Sequence, residues 1–129
     1  MQDRFRFRVY IKYAKIMCYD VNSFYIDRLK NKITIHFDDH TKTFKLDDIV
    51  LEQSTGLKDR NGKLIYEGDI VSANEAYKDG VYKVEYCDMD CEYDLNTNDG
   101  DFVYQLTKSI SKQLEVIGNI HENGDLLEK

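Results

Sequence analysis

Ser54-Thr55-Gly56-Leu57-Lys58-Asp59-Arg60-Asn61-Gly62-Lys63-Leu64-Ile65-Tyr66-Glu67-Gly68-Asp69-Ile70-Val71 is the stretch whose reading decides the fold. Asp59-Arg60-Asn61-Gly62 has turn chemistry, because Asn and Gly tolerate the positive φ that a tight reversal demands. Leu64-Ile65-Tyr66 then starts an extended run. Glu67-Gly68-Asp69 is a second corner, where Gly68 can bend or bulge the backbone, and Ile70-Val71 resumes a β-branched strand. Two corners so close together imply a small, tightly turning sheet. The carboxylates of Asp59, Glu67 and Asp69 have two uses here: bonding nearby backbone amides, which is the more economical, or acid–base chemistry as a cluster.

Thr55-Gly56-Leu57-Lys58-Asp59, followed by Asn61-Gly62-Lys63 and Ile65-Tyr66-Glu67-Gly68-Asp69-Ile70-Val71, resembles the YopX-like family of phage and prophage proteins. Two further segments agree with that resemblance. Phe5-Arg6-Phe7-Arg8-Val9-Tyr10 is similar to the family's opening strand, and Leu114-Glu115-Val116-Ile117-Gly118-Asn119-Ile120-His121-Glu122-Asn123 to its closing motif. The three blocks occur in the family's order and span nearly the whole chain. Ile11, where an acid often follows, and Gly124, where a proline is frequent, depart from the pattern. The resemblance marks Thr55, Gly56, Leu57, Asp59, Gly62, Tyr66, Glu67, Gly68, Asp69, Gly118 and Asn119 as structural positions. It implies a phage or prophage protein and brings no catalytic role with it.

A chain of 129 residues fits one domain, 1–129, large enough to bury a core without metal or disulfide support. Leu, Ile, Val and Phe together number 35, above the level of about 20% below which charged chains stay disordered. The chain is therefore expected to fold. No apolar run approaches the ~20 residues of a membrane helix, and the N-terminus lacks a secretory apolar segment, so a soluble intracellular protein is expected, which the resemblance implies is in the cytoplasm of a bacterial host cell. Cys18, Cys87 and Cys91 are an odd set for which reduced thiols are the default.

A net charge of −6 disfavours nucleic acid as a partner, because a duplex binder presents concentrated Lys and Arg to phosphates. Charge is nevertheless uneven. Arg4, Arg6, Arg8, Lys12 and Lys15 make the start basic, while residues 85–101 are acidic. Solvated surface is the plain reading of both; the sharper one is a basic edge of one protomer meeting the acidic loop of another.

In chain order, residues 4–10 alternate, with Arg4, Arg6 and Arg8 on one face and Phe5, Phe7 and Val9 on the other, as in a half-buried strand. Residues 16–19 are a second strand. Residues 24–29 fit helical spacing as well as a strand, with the balance toward strand. Residues 32–37 and 41–46 alternate around Asp38-Asp39-His40 and form a hairpin. Residues 47–51 link that hairpin to the central motif. Residues 72–80 are a polar loop, 81–86 a strand with Tyr82, Val84 and Tyr86 on one face, 88–101 an acidic loop, 102–106 a strand, 108–112 one helical turn, and 114–120 a closing strand bent at Gly118. The expected fold is mainly β with at most short helices: an N-terminal β lobe over 1–50 packed against an SH3-like barrel over 51–123, with a tail at 124–129. Ile65, Ile70, Val84, Val103, Val116 and Ile117 are the candidate barrel core, although adjacent residues cannot all face one side of a flat strand.

Chemistry-bearing patterns are sparse. His36 and His40 would pair on a helix, but their context is a hairpin, and Cys87 and Cys91 lack a second cysteine pair, so no metal site and no cofactor is expected. Asp94-x-Asn96-x-Asn98 suggests a calcium loop. Gly100, however, falls one position late, and Gln105 stands where a bidentate Glu is needed. No nucleophile elbow, phosphate loop, dinucleotide fingerprint or zinc-protease helix is present. Two functions remain. One is a non-catalytic module that binds a host or phage protein, or itself as a homo-oligomer, through the basic Arg4, Arg6 and Arg8 face and through Tyr82 and Tyr86. The other is a small enzyme using Asp59, Glu67 and Asp69, and fold-level analogy favours the first.

Overall fold

The computed structural model describes residues 3–73, 80–99 and 101–128, and its contacts divide the chain into Met1–Gln53 and Ser54–Lys129. In the first unit a short 3-10 turn, Asp3–Phe5, precedes β1 (Phe7–Ile11), β2 (Ile16–Asp27), β3 (Lys32–Phe37), β4 (Thr41–Lys45) and the start of β5 (Ile49–Lys58). All pair antiparallel in the order β4-β3-β2-β1-β5. The ambiguous segment at 24–29 is the second half of β2, which ends at Asp27. Its Oδ1 accepts the Lys30 amide at 3.2 Å to close the following turn.

Alternation explains the hairpin of β3 and β4. Ile33, Ile35 and Phe37 are buried, Ile33 stands opposite Phe44, and the intervening Thr34 joins Thr43 hydroxyl to hydroxyl at 2.8 Å on the other face. Val9, Ile33, Ile35, Phe37, Phe44 and Ile49 form the core, against which Phe24 packs, edge-on to Phe7 with ring centres 5.1 Å apart. Each such fully buried side chain contributes about 1.5–3 kcal/mol of apolar burial.

Residues 47–51 are more than a link. Leu46–Asp48 is a 3-10 turn, and β5 then runs through Ser54 into the central motif. Because β5 pairs with β1 over Ile49 to Gln53, its alternation is set by a long-range partner, a pairing with no local sequence signal.

The second unit holds the rest of β5, β6 (Leu64–Tyr66), β7 (Asp69–Ala73), β8 (Gly80–Cys87), β9 (Glu92–Asn96), β10 (Phe102–Gln105), a four-residue helix α1 (Lys108–Ser111) and β11 (Leu114–Asn119). Thr107 caps α1 by accepting the Ile110 amide at 3.3 Å. Five strands form one antiparallel sheet in the order β10-β9-β8-β7-β11. Ile70-Val71 and the strands expected over 81–86, 102–106 and 114–120 share this sheet, whereas Tyr66 belongs to β6, which pairs with β5, and the SH3-like barrel is not found. Among the described residues no pairing joins β10 to β11, and the sheet is open.

Two observations account for the difference. The acidic stretch at 88–101 contains a strand, β9, that inserts between β8 and β10. Beside β11, moreover, stands the 59–63 turn: the Arg60 amide donates to Leu114 O and the Val116 amide to Asp59 Oδ2, both at 2.9 Å. A strand edge satisfied in this way does not need closure by another strand.

Ile65, Val71, Ala73, Tyr82, Val84, Leu95, Leu106 and Leu114 make the core of this unit. Of the expected core residues, Ile65, Ile70 and Val84 are fully buried, Val116 is half-buried, and the Val103 side chain lies outside the described residues. Ile117 is exposed, since next-door neighbours on β11 face opposite ways. Ser72 and Ala73 end β7 and Gly80 opens β8, while residues 74–79 of the expected polar loop lie outside the described residues. The last residues, Gly124–Glu128, form a 3-10 turn against β8.

Candidate functional site

The central motif is built by its own short-range bonds. Ser54 Oγ accepts the Gly56 amide at 2.9 Å, and Thr55 Oγ1 accepts the Leu57 amide at 3.1 Å while donating to Ile65 O at 2.8 Å. The residues between Ser54 and Lys58 bulge, with Gly56 at φ 80°. Asp59 then organises the reversal. Its Oδ1 accepts the Asn61 and Lys63 amides and its Oδ2 the Val116 amide, all at 2.9 Å, and the side chain is buried. Gly62 holds φ 82°, and its amide donates to Asp59 O at 3.0 Å. Across from this turn, Glu115 accepts from Arg60 at 2.9 Å and from Asn61 Nδ2 at 3.3 Å.

The second corner is tied as tightly. Asp69 Oδ2 accepts the Tyr66 amide at 2.8 Å, and Asp69 is only 2% exposed. Gly68, at φ 87°, donates its amide to Val84 O at 2.8 Å and accepts the Ile120 amide at 2.9 Å, so one glycine links β8 to the end of β11. There the strand shifts register at Gly118, and Asn119 Oδ1 accepts the His121 and Glu122 amides at 3.0 Å each. A Cβ at Gly118 would stand 2.6 Å from Asn123 Oδ1, the atom that accepts the Asn119 amide at 3.2 Å. Leu57 is half-buried against the second unit's core, and Tyr66 is buried.

Chemically, these corners hold carboxylates that already serve backbone amides. Glu67 is half-buried, and its charge together with burial raises the phenol of Tyr93, burial being the larger cause. The tyrosines and arginines expected to bind a partner divide. Arg4, Arg6 and Tyr86 are exposed. Arg8 and Tyr82 are not. The Arg8 guanidinium is 1% exposed and donates from Nε to Glu52 Oε1 at 2.9 Å, because β1 and β5 place the two residues directly opposite. Tyr82 takes the inward position on β8 and belongs to the core, where burial raises its phenol.

The histidines and cysteines are engaged locally. His36 Nδ1 lies 2.9 Å from Thr41 Oγ1, and His40 stacks on Phe37 while its Nδ1 lies 2.6 Å from Asp39 Oδ1, which lowers the Asp39 carboxyl. The Cys91 sulfur, on a residue at φ 53°, raises the phenol of Tyr86 by accepting a hydrogen bond from it. Among the described residues no three His, Cys, Asp or Glu side chains are grouped to hold a metal, and no helix is long and apolar enough to cross a membrane.

Asp94 and Asn96, read from the sequence as positions of a loop, lie instead on a strand, and Glu92 joins them there. Glu92, Asp94 and Asn96 share one face of β9, with Tyr93 and Leu95 on the other. Their strict alternation was the available signal, masked by the turn-forming composition around it.

A family model described as YopX protein matches residues 6–128. The chain belongs to the YopX family. Two solved structures are similar to this family member over nearly their full lengths. Protein EF1440 from Enterococcus faecalis is 26% identical with a TM-score of 0.58, the match covering 95% of this chain and 96% of that one. Protein yopX from Bacillus subtilis has a TM-score of 0.64 at 20% identity, covering 96% and 98%, a likeness of fold. No curated protein matches the chain.

Proposed function

We propose that this YopX-family protein is a non-catalytic binding module of a phage or prophage, working inside the bacterial cell. It docks a host or phage protein, or a second copy of itself, on the outer face of the first unit's sheet. The observation that carries this reading is β2. It is flanked by β1 and β3 and none of its twelve residues is buried, while Tyr19 and Tyr25 stand 50% and 68% exposed. Both lie on the face opposite the core: Tyr25 pairs with Thr34, and Tyr19 lies over Arg8, with the guanidinium 5.8 Å from its ring centre. Tyrosines offer large apolar area with a polar tip at low entropic cost, which suits a contact surface.

The enzyme alternative loses support from the same geometry. Asp59 and Asp69 are buried acceptors of backbone amides, which leaves them poorly placed to exchange protons with a substrate.

Sedimentation of the full chain, together with capture from phage-induced cells, tests the reading. Tyr25→Ser with Tyr19→Ser is expected to abolish self-association or retention of the captured protein, whereas Glu67→Gln leaves both intact. A cellular effect lost in Glu67→Gln, in a protein that still folds and still holds its partner, would overturn the module reading.

A further inference from the structure

The outer face of β9 carries an electrostatic imbalance that the binding reading does not use. Glu92, Asp94 and Asn96 point away from the core, and the register sets Cys87, Glu85 and Lys83 of β8 opposite them in that order. On the other side β10 places Gln105 beside Asp94 and Phe102 beside Asn96. Three carboxylates thus share this surface with one cation, Lys83, whose Nζ lies 3.4 Å from Glu85 Oε1.

Two oxygens in the middle of this surface have no donor. Asp94 is 8% exposed, and its buried Oδ1 has no hydrogen-bond partner. Asn96 Oδ1 is buried without a partner as well. The Asn96 orientation is determined by chemistry: Nδ2 donates to Glu85 Oε1 at 2.9 Å, and the flipped amide would press oxygen against oxygen. The three groups follow one another along a single face of the strand. Asn96 bonds Glu85, the residue opposite Asp94, and Glu92 stands on the same face two residues from Asp94 on the other side. A buried acceptor without a donor is destabilising, and two adjoining carboxylates add repulsion. A positive charge supplied from solution removes both penalties.

We propose that Glu92, Asp94 and Asn96 form a binding site for a hard divalent cation, Ca2+, on the outer face of β9. Two carboxylates and an amide oxygen are an all-oxygen donor set, which selects Ca2+ over softer metals, and Ca2+ accepts the irregular geometry of a sheet surface more readily than Mg2+. Water completes the shell. The amide oxygen takes the third place, consistent with the absence of three grouped acidic, His or Cys ligands among the described residues. So few protein ligands put the dissociation constant on the order of 10⁻⁴–10⁻³ M.

Terbium luminescence reads the site directly. The chain has no Trp, and Tyr93, between Glu92 and Asp94, stands 5.1 Å ring to ring from Tyr86 as a sensitiser. Titration of the full chain with Tb3+ is expected to saturate and to be reversed by CaCl2. Half-saturation should move at least tenfold higher in Asp94→Asn and in Glu92→Gln, and not at all in Asp38→Asn on the first unit. Glu92 is only half-buried, so Glu92→Gln carries the test if Asp94→Asn fails to fold. Luminescence that never saturates, or that is unchanged in Glu92→Gln, overturns the proposal. So does a thermal midpoint that rises on acidification in chelator but is indifferent to about 10 mM CaCl2, well above the expected dissociation constant, because a proton alone then satisfies the pair.

Discussion

Glu52→Leu should cost the protein about 3–5 kcal/mol, the range for removing one partner of a buried ion pair. Arg8 and Glu52 face each other across β1 and β5, 2.9 Å apart from Nε to Oε1, with side chains 1% and 5% exposed. Leucine fills the volume but leaves the guanidinium in a low-dielectric setting without its carboxylate. The Tyr19 ring at 5.8 Å and its hydroxyl at 3.4 Å remain, yet a cation–π contact of about 0.5–2 kcal/mol does not replace a charged hydrogen bond there. Unfolding entropy near 2.1 cal/mol/K per residue over 129 residues is about 0.27 kcal/mol/K, so the midpoint should fall by roughly 11–18 °C. The double replacement Arg8→Met/Glu52→Leu removes both desolvated charges and should recover most of the loss. Thermal and urea unfolding of the wild type, Glu52→Leu, Arg8→Met and the double replacement, followed by circular dichroism, gives the coupling directly. A cost for Glu52→Leu under about 1 kcal/mol, the value of an exposed pair, would refute the claim that this pair is desolvated.

Gly62→Ala should cost about 1 kcal/mol, because φ is 82° while a Cβ there meets nothing within 4 Å, and Gly62→Asn should cost less; urea midpoints separate the two. Asp59→Ala should cost about 2–3 kcal/mol, the value of one charged hydrogen bond lost where water cannot replace it, and hydrogen exchange should quicken at the Val116 amide. The Glu92 carboxyl has a folded pKa near 7 against an ordinary 4.5, so the folded state holds the extra proton between those values. Stability in chelator should therefore fall as pH rises from about 4.5 to about 7, a slope expected to flatten in Glu92→Gln when melts are recorded across that window. Lys83, Glu85, Asp90 and Asp94 are the charged groups facing it, and none of them reverses that sign.

Alternation and turn chemistry, which are local, were legible without coordinates. Ile33, Ile35 and Phe37 announce a half-buried strand, and Asn61-Gly62 and Glu67-Gly68-Asp69 announce reversals, because period and positive φ are properties of a few consecutive residues. The corner residues were readable as far as their types allowed: a carboxylate beside a turn has amides within reach. Which amides it takes was not. Asp59 reaches Val116, far along the chain, and that bond helps occupy the β11 edge that the expected barrel would have closed. Burial escaped for the same reason. Arg8 alternates with Phe7 and Val9 as a solvent-facing residue would, and only pairing with β5 supplies the Glu52 that lets a charge leave water. Likewise Glu92-Tyr93-Asp94-Leu95-Asn96 is turn-rich by composition and strand by context, since β8 and β10 on either side provide the ladder bonds that outweigh a weak propensity. Sequence thus determined the local conformations and the family, whereas tertiary pairing decided which edges are filled, which charges are buried, and where carboxylates meet.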